Sequence, residues 1–462
     1  MAARDVGDAL EAAGVAVRAA GDGDEVAGVR PRWVALPESA EEIAAVMRVC
    51  AAHDLAAVAT GGGTKLHWGA PPDRCDVLVD LCCMNRPPEH AAGDLVVRAQ
   101  AGVTVEALAR ALAEGGQELA LDVPVPGTTV GGLLATGIAG PRRFRHGTAR
   151  DLLIGVTVVL ADGTIAKSGG KVVKNVAGYD LGKLFTGSYG TLGIIADATF
   201  RLHPLPAARA WVTATVERPV TETYGTWTNE DGLTFETLTT DLAGSLATMV
   251  PAVTESPLEP SAVEMDWPDA EGPCTVAVLV EGAAAAERAK ALCALIGGAL
   301  SDAQVTEEPP PWWGRLPEPP APDGPPGPLG AGTGAGDGDG GEILLEVRNV
   351  PSRLAGSFVG PLTAAREAGV HAAVRGSLAS HVFHVALPPD TEPRRVAAFT
   401  GGLRAHMETD GDGRVVVLAA PQEAARRLDR WGHVGALPLM RRVKERFDPD
   451  RRLSPGRFLG GI

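Results

Sequence analysis

Between Thr60 and Ile195 the chain passes three times through stretches where glycine and threonine crowd out large side chains. The first is Thr60-Gly61-Gly62-Gly63-Thr64-Lys65. The second is Pro126-Gly127-Thr128-Thr129-Val130-Gly131-Gly132, running on to Thr136-Gly137. The third is Lys171-Val172-Val173-Lys174-Asn175-Val176-Ala177-Gly178-Tyr179-Asp180-Leu181, then Gly187-Ser188-Tyr189-Gly190 through Gly193-Ile194-Ile195. Such runs bury little apolar surface themselves, but they let backbone N–H groups approach a flat or anionic group closely. Taken singly, each reads equally as a tight turn or a close helix–sheet contact. The first loop is not a Walker A loop. It is not a Rossmann fingerprint either, because Leu66 stands where a small residue is needed.

The elements around these loops have local signatures. Ser39 and Glu42 open a helix to His53 as a capping box, with Ile43, Val46, Met47 and Cys50 on one face. A strand over Ala56 to Ala59 leads into the first loop, and Val77 to Leu81 follows as another. Val96 to Ala99 reads as a strand, and Thr104 caps a helix ended by Gly115-Gly116. Ile154 to Leu160 and Ile165 to Lys167 flank an Asp162-Gly163 turn. A strand near Ala198 to Leu202, then Pro204 and Pro206, mark a boundary. Beyond it lie a strand at Thr275 to Val280, an alanine-rich helix at Ala283 to Ile296, a strand at His381 to Leu387 and a final helix at Pro438 to Phe447. Pro309 to Gly341 is dominated by Pro, Gly, Ala and Asp, which predicts a flexible insertion.

Composition narrows the function. A net charge of −15 argues against nucleic acid or an anionic membrane as partner. The six cysteines have neither zinc nor iron–sulfur spacing, so no metal site is expected and a reducing cytoplasm is the default. No run of 18 apolar residues occurs and the N-terminus carries acids, so neither a membrane insertion nor a signal peptide is expected.

In order, TGGGTK, PGTTVGGLLATG and KSGGKVVKNVAGYDLGKLFTGSYGTLGII resemble the PCMH-type (vanillyl-alcohol-oxidase-like) FAD-binding domain. KNVAGYDLGKLFTGSYGTLG is the most specific stretch, and it is similar to the FAD-binding E subunit of bacterial glycolate oxidase. The resemblance covers Arg30 to Pro206, weakens over Pro257 to Glu281 and returns at Arg441 to Phe458. It implies an α+β fold in which two subdomains hold an extended FAD under an α+β cap domain. The domains expected are an N-terminal segment 1–29, an FAD-binding domain 30–206, a cap 207–420 carrying the insertion 309–341, and a C-terminal segment 421–462 returning to the FAD domain.

Carried over residue by residue, the resemblance puts the FAD diphosphate at Thr60, Gly61, Gly62, Gly63, Thr64 and Lys65. Pro126, Gly127, Thr128, Gly131, Gly132, Thr136 and Gly137 line the flavin channel. Gly193 and Ile195 make backbone contacts, and Arg145, His146 and Gly147 stand at an Arg-Tyr-Gly turn of relatives near the flavin. The first loop offers no His or Cys tether, so FAD is expected to be non-covalent, with His67 as the nearest exception. Relatives' His-x-Gly-Asp-Gly-Asn metal motif is missing: His433-Val434-Gly435-Ala436 does not match it. Their tail Asn is replaced in Ser454-Pro455-Gly456-Arg457.

His381 and His384 share an apparent strand, where a spacing of three puts them on opposite faces. That argues against a paired metal site and leaves either a cap-packing role or one imidazole toward a flavin. The implied activity is oxidation of a 2-hydroxy acid, with electrons passing to an iron–sulfur subunit beside a flavoprotein sister subunit. Two other readings remain: a stand-alone FAD dehydrogenase for another alcohol or sugar acid, and a non-catalytic FAD-bearing scaffold subunit.

Overall fold

The computed structural model describes residues 3–170, 180–216, 222–228, 234–269, 272–319, 341–351, 354, 356–408 and 413–462. Lys171 to Tyr179 of the third glycine-rich stretch lie outside the described residues.

Ser39 Oγ accepts from the Glu42 N–H at 3.2 Å and starts the helix Ala40–His53. The Glu42 carboxylate accepts from the Glu38 N–H at 2.9 Å, one residue ahead of the usual capping-box donor. Ile43, Val46, Met47 and Cys50 are buried along its inner face. These residues share one core with Ala35, Ala57, Val77 and Val79 of a four-stranded sheet ordered Ala16–Ala19, Trp33–Leu36, Val77–Asp80, Ala57–Thr60. The last three strands run parallel, so the first glycine loop leaves the carboxyl end of a parallel strand. Ligands commonly bind at such strand ends.

A five-stranded antiparallel sheet adjoins it, ordered Glu89–Ala91, Val96–Gln100, Ile194–Arg201, Leu153–Val159, Ile165–Gly169. Thr104 caps the helix Val105–Glu114 as expected. Met47, Val77, Leu108, Val158 and Phe200 belong to one continuous core, so the two sheets form one folding unit.

The cap is an eight-stranded antiparallel sheet. Its order is Gln304–Thr306, Arg209–Val216, Cys274–Glu281, Ala262–Trp267, Ala373–Ser377, Val382–Leu387, Ile343–Arg348, Arg414–Ala419. Strand alternation decides which residues meet the N-terminal half. On Ile343–Arg348, residues Ile343, Leu345 and Val347 enter the cap's own core with Phe399 and Leu292. Leu344 joins the N-terminal core together with Ala386 and Leu418. Glu346 and Arg348 share the face of Leu344.

Ionic contacts join the two halves. Arg142 Nη1 reaches Glu118 at 2.8 Å and cap residue Glu281 at 3.5 Å, while Arg209 bridges the same two carboxylates at 2.9 Å each. Burial opposes ionisation of Glu281, but His146, Arg142 and Arg209 outweigh it and hold the carboxyl at about 2. The chain end returns to the first half. Buried Lys444 donates to Thr191 O at 2.8 Å and pairs with Asp448 at 2.7 Å. The Ser454 N–H donates to Ala57 O at 2.9 Å.

At the start of the Pro/Gly-rich stretch, Trp312 and Pro317 are buried while Pro309, Pro311, Arg315 and Glu318 stay exposed. Trp312 is buried beside the Arg375 guanidinium, which pairs with Asp266 at 2.7 Å and donates to Leu316 O at 2.6 Å. Residues 320–340 lie outside the described residues.

Candidate functional site

Two cavities meet where the glycine loops converge. The smaller, about 80 Å³, is ringed by Thr60 to Leu66 with Thr129, Gly132, Thr136 and Arg457. The larger, about 410 Å³, lies between the N-terminal half and the cap sheet. Thr136 and Tyr189 belong to both walls, so the cavities adjoin.

The smaller cavity is built by close backbone approach. A Cβ at Gly61 would lie 2.3 Å from Thr129 Oγ1, and one at Gly62 would lie 2.2 Å from the Gly127 carbonyl oxygen. The Lys65 ammonium is buried and donates to Thr64 Oγ1 at 2.9 Å and Thr128 Oγ1 at 2.6 Å. Among the described residues no carboxylate pairs with it. Burial lowers its pKa to about 8, and Glu106 only partly opposes this. Arg457 is buried too and spends Nη2 on Leu66 O and Trp68 O at 2.9 and 2.8 Å. Its Nη1 has no acceptor, and burial lowers the guanidinium to about 10. Unneutralised buried cations beside a loop that only glycine can form are a donor set for a polyanion such as a diphosphate. The residues present therefore fit a dinucleotide's phosphates.

The larger cavity has a backbone-rich wall and a charged wall. Gly137, Ile138 and Gly187 come from the first half. Gly137 takes a φ of +68° as the left-handed cap of helix Val130–Thr136, a conformation that favours glycine. The cap contributes Glu346, Arg348, His384 and Arg414. His384 is the cross-strand partner of Glu346, with Nε2 3.8 Å from Oε2, and Arg348 Nε donates to Glu346 Oε1 at 2.7 Å. Burial lowers His384 to about 4, which makes it a neutral imidazole at pH 7. Burial opposes ionisation of Glu346, but the Arg348 guanidinium outweighs it and keeps the carboxyl below its ordinary value. Tyr189 stacks on Phe458 with ring centroids 5.4 Å apart and meets Trp431 edge-on at 5.6 Å, closing one end.

The expected site residues separate in space. Thr60 through Lys65, Gly132 and Thr136 ring the smaller cavity, and Thr136 and Gly137 line the larger. Gly127 and Thr128 stand directly behind, touching Gly62 and Lys65, and Gly131 packs on Ala101. Pro126 is not a wall residue of either cavity. Gly193 packs against the Phe185 ring and Ile195 pairs with Val158 in the core. Arg145 pairs with Glu259, Gly147 packs over Asp151, and His146 faces Glu281 at 3.5 Å and the His203 ring at 4.8 Å. These three line neither cavity, whereas Thr148 and Arg150 just beyond them do. Glu346, Arg348, Arg414 and Trp431 were not singled out from sequence. For Glu346 and Arg348 the local signal is a charge at alternate positions of an otherwise apolar strand; Arg414 only opens its strand, and Trp431 lies outside any strand. His381 precedes the strand with φ +54° and lines neither cavity.

Comparison with known proteins agrees with the smaller cavity's chemistry. Residues 31–169 match a family model described as an FAD binding domain. The chain carries an FAD-binding domain. Over 182 residues it is 37% identical to D-lactate dehydrogenase [cytochrome] 1, mitochondrial, of Saccharomyces cerevisiae, covering 39% of this chain and 31% of that protein. It is 37% identical over 177 residues to D-2-hydroxyglutarate dehydrogenase of Xanthomonas citri pv. viticola, 38% of each chain. It is 35% identical over 188 residues to glycolate oxidase subunit GlcD of Bacillus subtilis, 40% of each chain. The matches thus span between 31% and 40% of these relatives' own lengths. Solved structures share the fold over nearly the whole chain. The TM-score is 0.67 to p-cresol methylhydroxylase, at 16% identity over 98% of this chain and 96% of that one. It is 0.66 to 4-ethylphenol oxidase from Gulosibacter chungangensis, at 17% identity over 99% and 97%. No described helix is long and apolar enough to cross a membrane, and the described residues contain no metal-type cluster of three His, Cys, Asp or Glu.

Proposed function

We propose that the chain is an FAD-dependent oxidoreductase acting on a 2-hydroxy acid. The observation that carries this reading is that the cap presents His384, Glu346 and Arg348 to the same cavity that the FAD-binding domain lines with Thr136 to Ile138. In this reading the Thr60 to Lys65 loop and Arg457 hold the FAD diphosphate, and the larger cavity takes the ring system and the substrate. FAD, when bound, supplies the hydride acceptor. The chain's residues do the remaining work. Arg348 holds the carboxylate beside the hydroxyl, and neutral His384 Nε2 takes the hydroxyl proton. Glu346 keeps Arg348 in place and stabilises the imidazolium that forms. Tyr189, Trp431 and Phe458 exclude water.

The relatives' printed names, lactate, hydroxyglutarate and glycolate enzymes, support the substrate class. His67 supports non-covalent FAD, because its ring pairs with Glu342 at 2.8 Å and lines neither cavity. The electrons leave to a partner, an iron–sulfur subunit beside a flavoprotein sister, as a glycolate-oxidase-type complex requires. The test is to purify the yellow protein, release flavin by acid, and bleach it anaerobically with a panel of 2-hydroxy acids. Flavin that stays on the denatured chain contradicts the non-covalent assignment, and a panel without any bleaching contradicts the activity.

A further inference from the structure

The walls of the larger cavity hold more positive charge than one substrate carboxylate cancels. Three guanidinium groups line it: Arg150 from the FAD-binding half, and Arg348 and Arg414 from neighbouring cap strands. Glu346 is its one acidic wall residue among those described, and it is already engaged by Arg348 at 2.7 Å. Among the described residues Arg414 donates to the His433 carbonyl at 3.3 Å, and Arg150 to the Lys183 carbonyl at 3.4 Å. Neither forms an ion pair among the described residues. Arg348 and Arg414 are also direct cross-strand partners, an arrangement in which like charges repel unless an anion sits between or above them.

The imbalance runs against the rest of the chain. The chain as a whole carries a net charge of −15. A wall with three arginines and one paired carboxylate is a local reversal of sign, the pattern that concentrates anions at a cleft.

We propose that the substrate is a 2-hydroxy acid bearing a second acidic group, a dianion whose distal carboxylate meets Arg414 and Arg150 while the carboxylate beside the hydroxyl meets Arg348. The inference rests on the 2-hydroxy-acid reading of this site and narrows it. A monocarboxylate such as lactate or glycolate leaves Arg414 and Arg150 without an anionic partner in the cavity.

The test compares acids matched in chain length on the FAD-loaded protein: 2-hydroxyglutarate against 2-hydroxyvalerate, and malate against 2-hydroxybutyrate. Anaerobic flavin reduction gives kcat/KM for each. Perturbation of the oxidised flavin spectrum gives binding of the unreactive pair glutarate and valerate, before any charge develops on the ring. The dianion of each pair is expected to win by about tenfold or more, as one additional charge-assisted contact supplies. Its advantage should fall as salt rises. R414Q and R150Q should each shrink the ratio and R414K should restore part of it; the ratio is read within one preparation, so misfolding does not mimic the effect. A ratio near one in the unmutated protein overturns the dianion assignment and leaves 2-hydroxy-acid oxidation standing. A preference untouched by both R414Q and R150Q overturns the placement of the second carboxylate. Bleaching by no acid at all overturns the oxidation reading and this inference with it.

Discussion

Gly62 sits with its α-carbon hydrogen directed at the Gly127 carbonyl, so that a Cβ built there would lie 2.2 Å from that oxygen. The contact locks two glycine-rich loops, 65 residues apart in sequence, into one wall of the smaller cavity. Gly62→Ala should push them apart at a cost of about 1–3 kcal/mol and weaken FAD binding by about 10- to 100-fold. Gly62→Glu, which adds negative charge beside the phosphates, should abolish it. Flavin fluorescence titration of the apoprotein checks both. Full occupancy in the Glu variant would show that the loop does not hold the diphosphate.

Lys65 gives FAD binding a pH dependence. In the apoprotein its ammonium is held at about 8 by burial. A bound diphosphate raises that value by supplying counter-charge. Below about pH 8 both forms are protonated and affinity is flat; above it, binding must take up a proton and affinity falls with rising pH. Folding stability follows the opposite sign. The unfolded chain holds this proton up to the ordinary lysine range, so the apoprotein gains stability between about pH 8 and that range. Lys65→Met should flatten both profiles, read by FAD titration and by thermal melts across pH.

His384 should behave as a base that needs no activation at neutral pH. Burial depresses it to about 4, with Arg143 and Arg348 adding to the depression and Glu346 and Glu342 opposing it. kcat/KM should therefore be level through neutral pH and fall as pH approaches about 4, where the imidazole gains a proton. His384→Gln should slow flavin reduction by about 10²- to 10⁴-fold. Rapid-mixing absorbance measurements check this, and an unchanged rate would remove His384 from the chemistry.

Trp312 fixes where the Pro/Gly-rich stretch can be cut. Its ring is buried beside Arg375, and Leu316 packs on the N-terminal core. Replacing residues 320–340 by a short Gly/Ser linker should leave the melting temperature and flavin content unchanged, since their composition offers few large apolar side chains. Trp312→Ala should cost about 3–5 kcal/mol. A linker variant that loses flavin would contradict the first expectation.

These results show which features sequence could reveal. Ser39, Thr104 and the Asp162-Gly163 turn act within a few residues of themselves, and each stands where its local chemistry placed it. The first glycine loop was legible for the same reason, its requirement for close approach being written in consecutive residues. The charged wall was not. Glu346 meets His384 only because two strands pair across the cap, with the residues 320–340 between the chain's last packed aromatic segment and that strand. His381 and His384 illustrate the failure of a period-two argument at a strand end. The strand starts at Val382, so only His384 obeys the alternation, while His381 takes a left-handed turn. Trp312 was hidden because a window rich in proline and glycine outweighed one large side chain.

The partner proposal has its own check. The six cysteines lie free and without iron–sulfur spacing, and an oxidoreductase that accepts a hydride must pass its electrons on. Co-expression with candidate flavoprotein and iron–sulfur subunits should give one co-eluting complex on size exclusion. A chain that elutes alone and turns over with a soluble acceptor at full rate would show that no such complex is required.

The central claim is that a 2-hydroxy acid, held between the cap wall and the FAD-binding domain, reduces the flavin of this chain. The most direct measurement is anaerobic rapid mixing of the FAD-loaded protein with a 2-hydroxy acid and with the same acid deuterated at the carbon bearing the hydroxyl. The account predicts bleaching of the oxidised flavin in a single turnover, slowed by the deuterium because that C–H bond breaks as the hydride leaves. Flavin that stays bound and fully oxidised with every acid tried would contradict it, and would favour a non-catalytic FAD-bearing subunit.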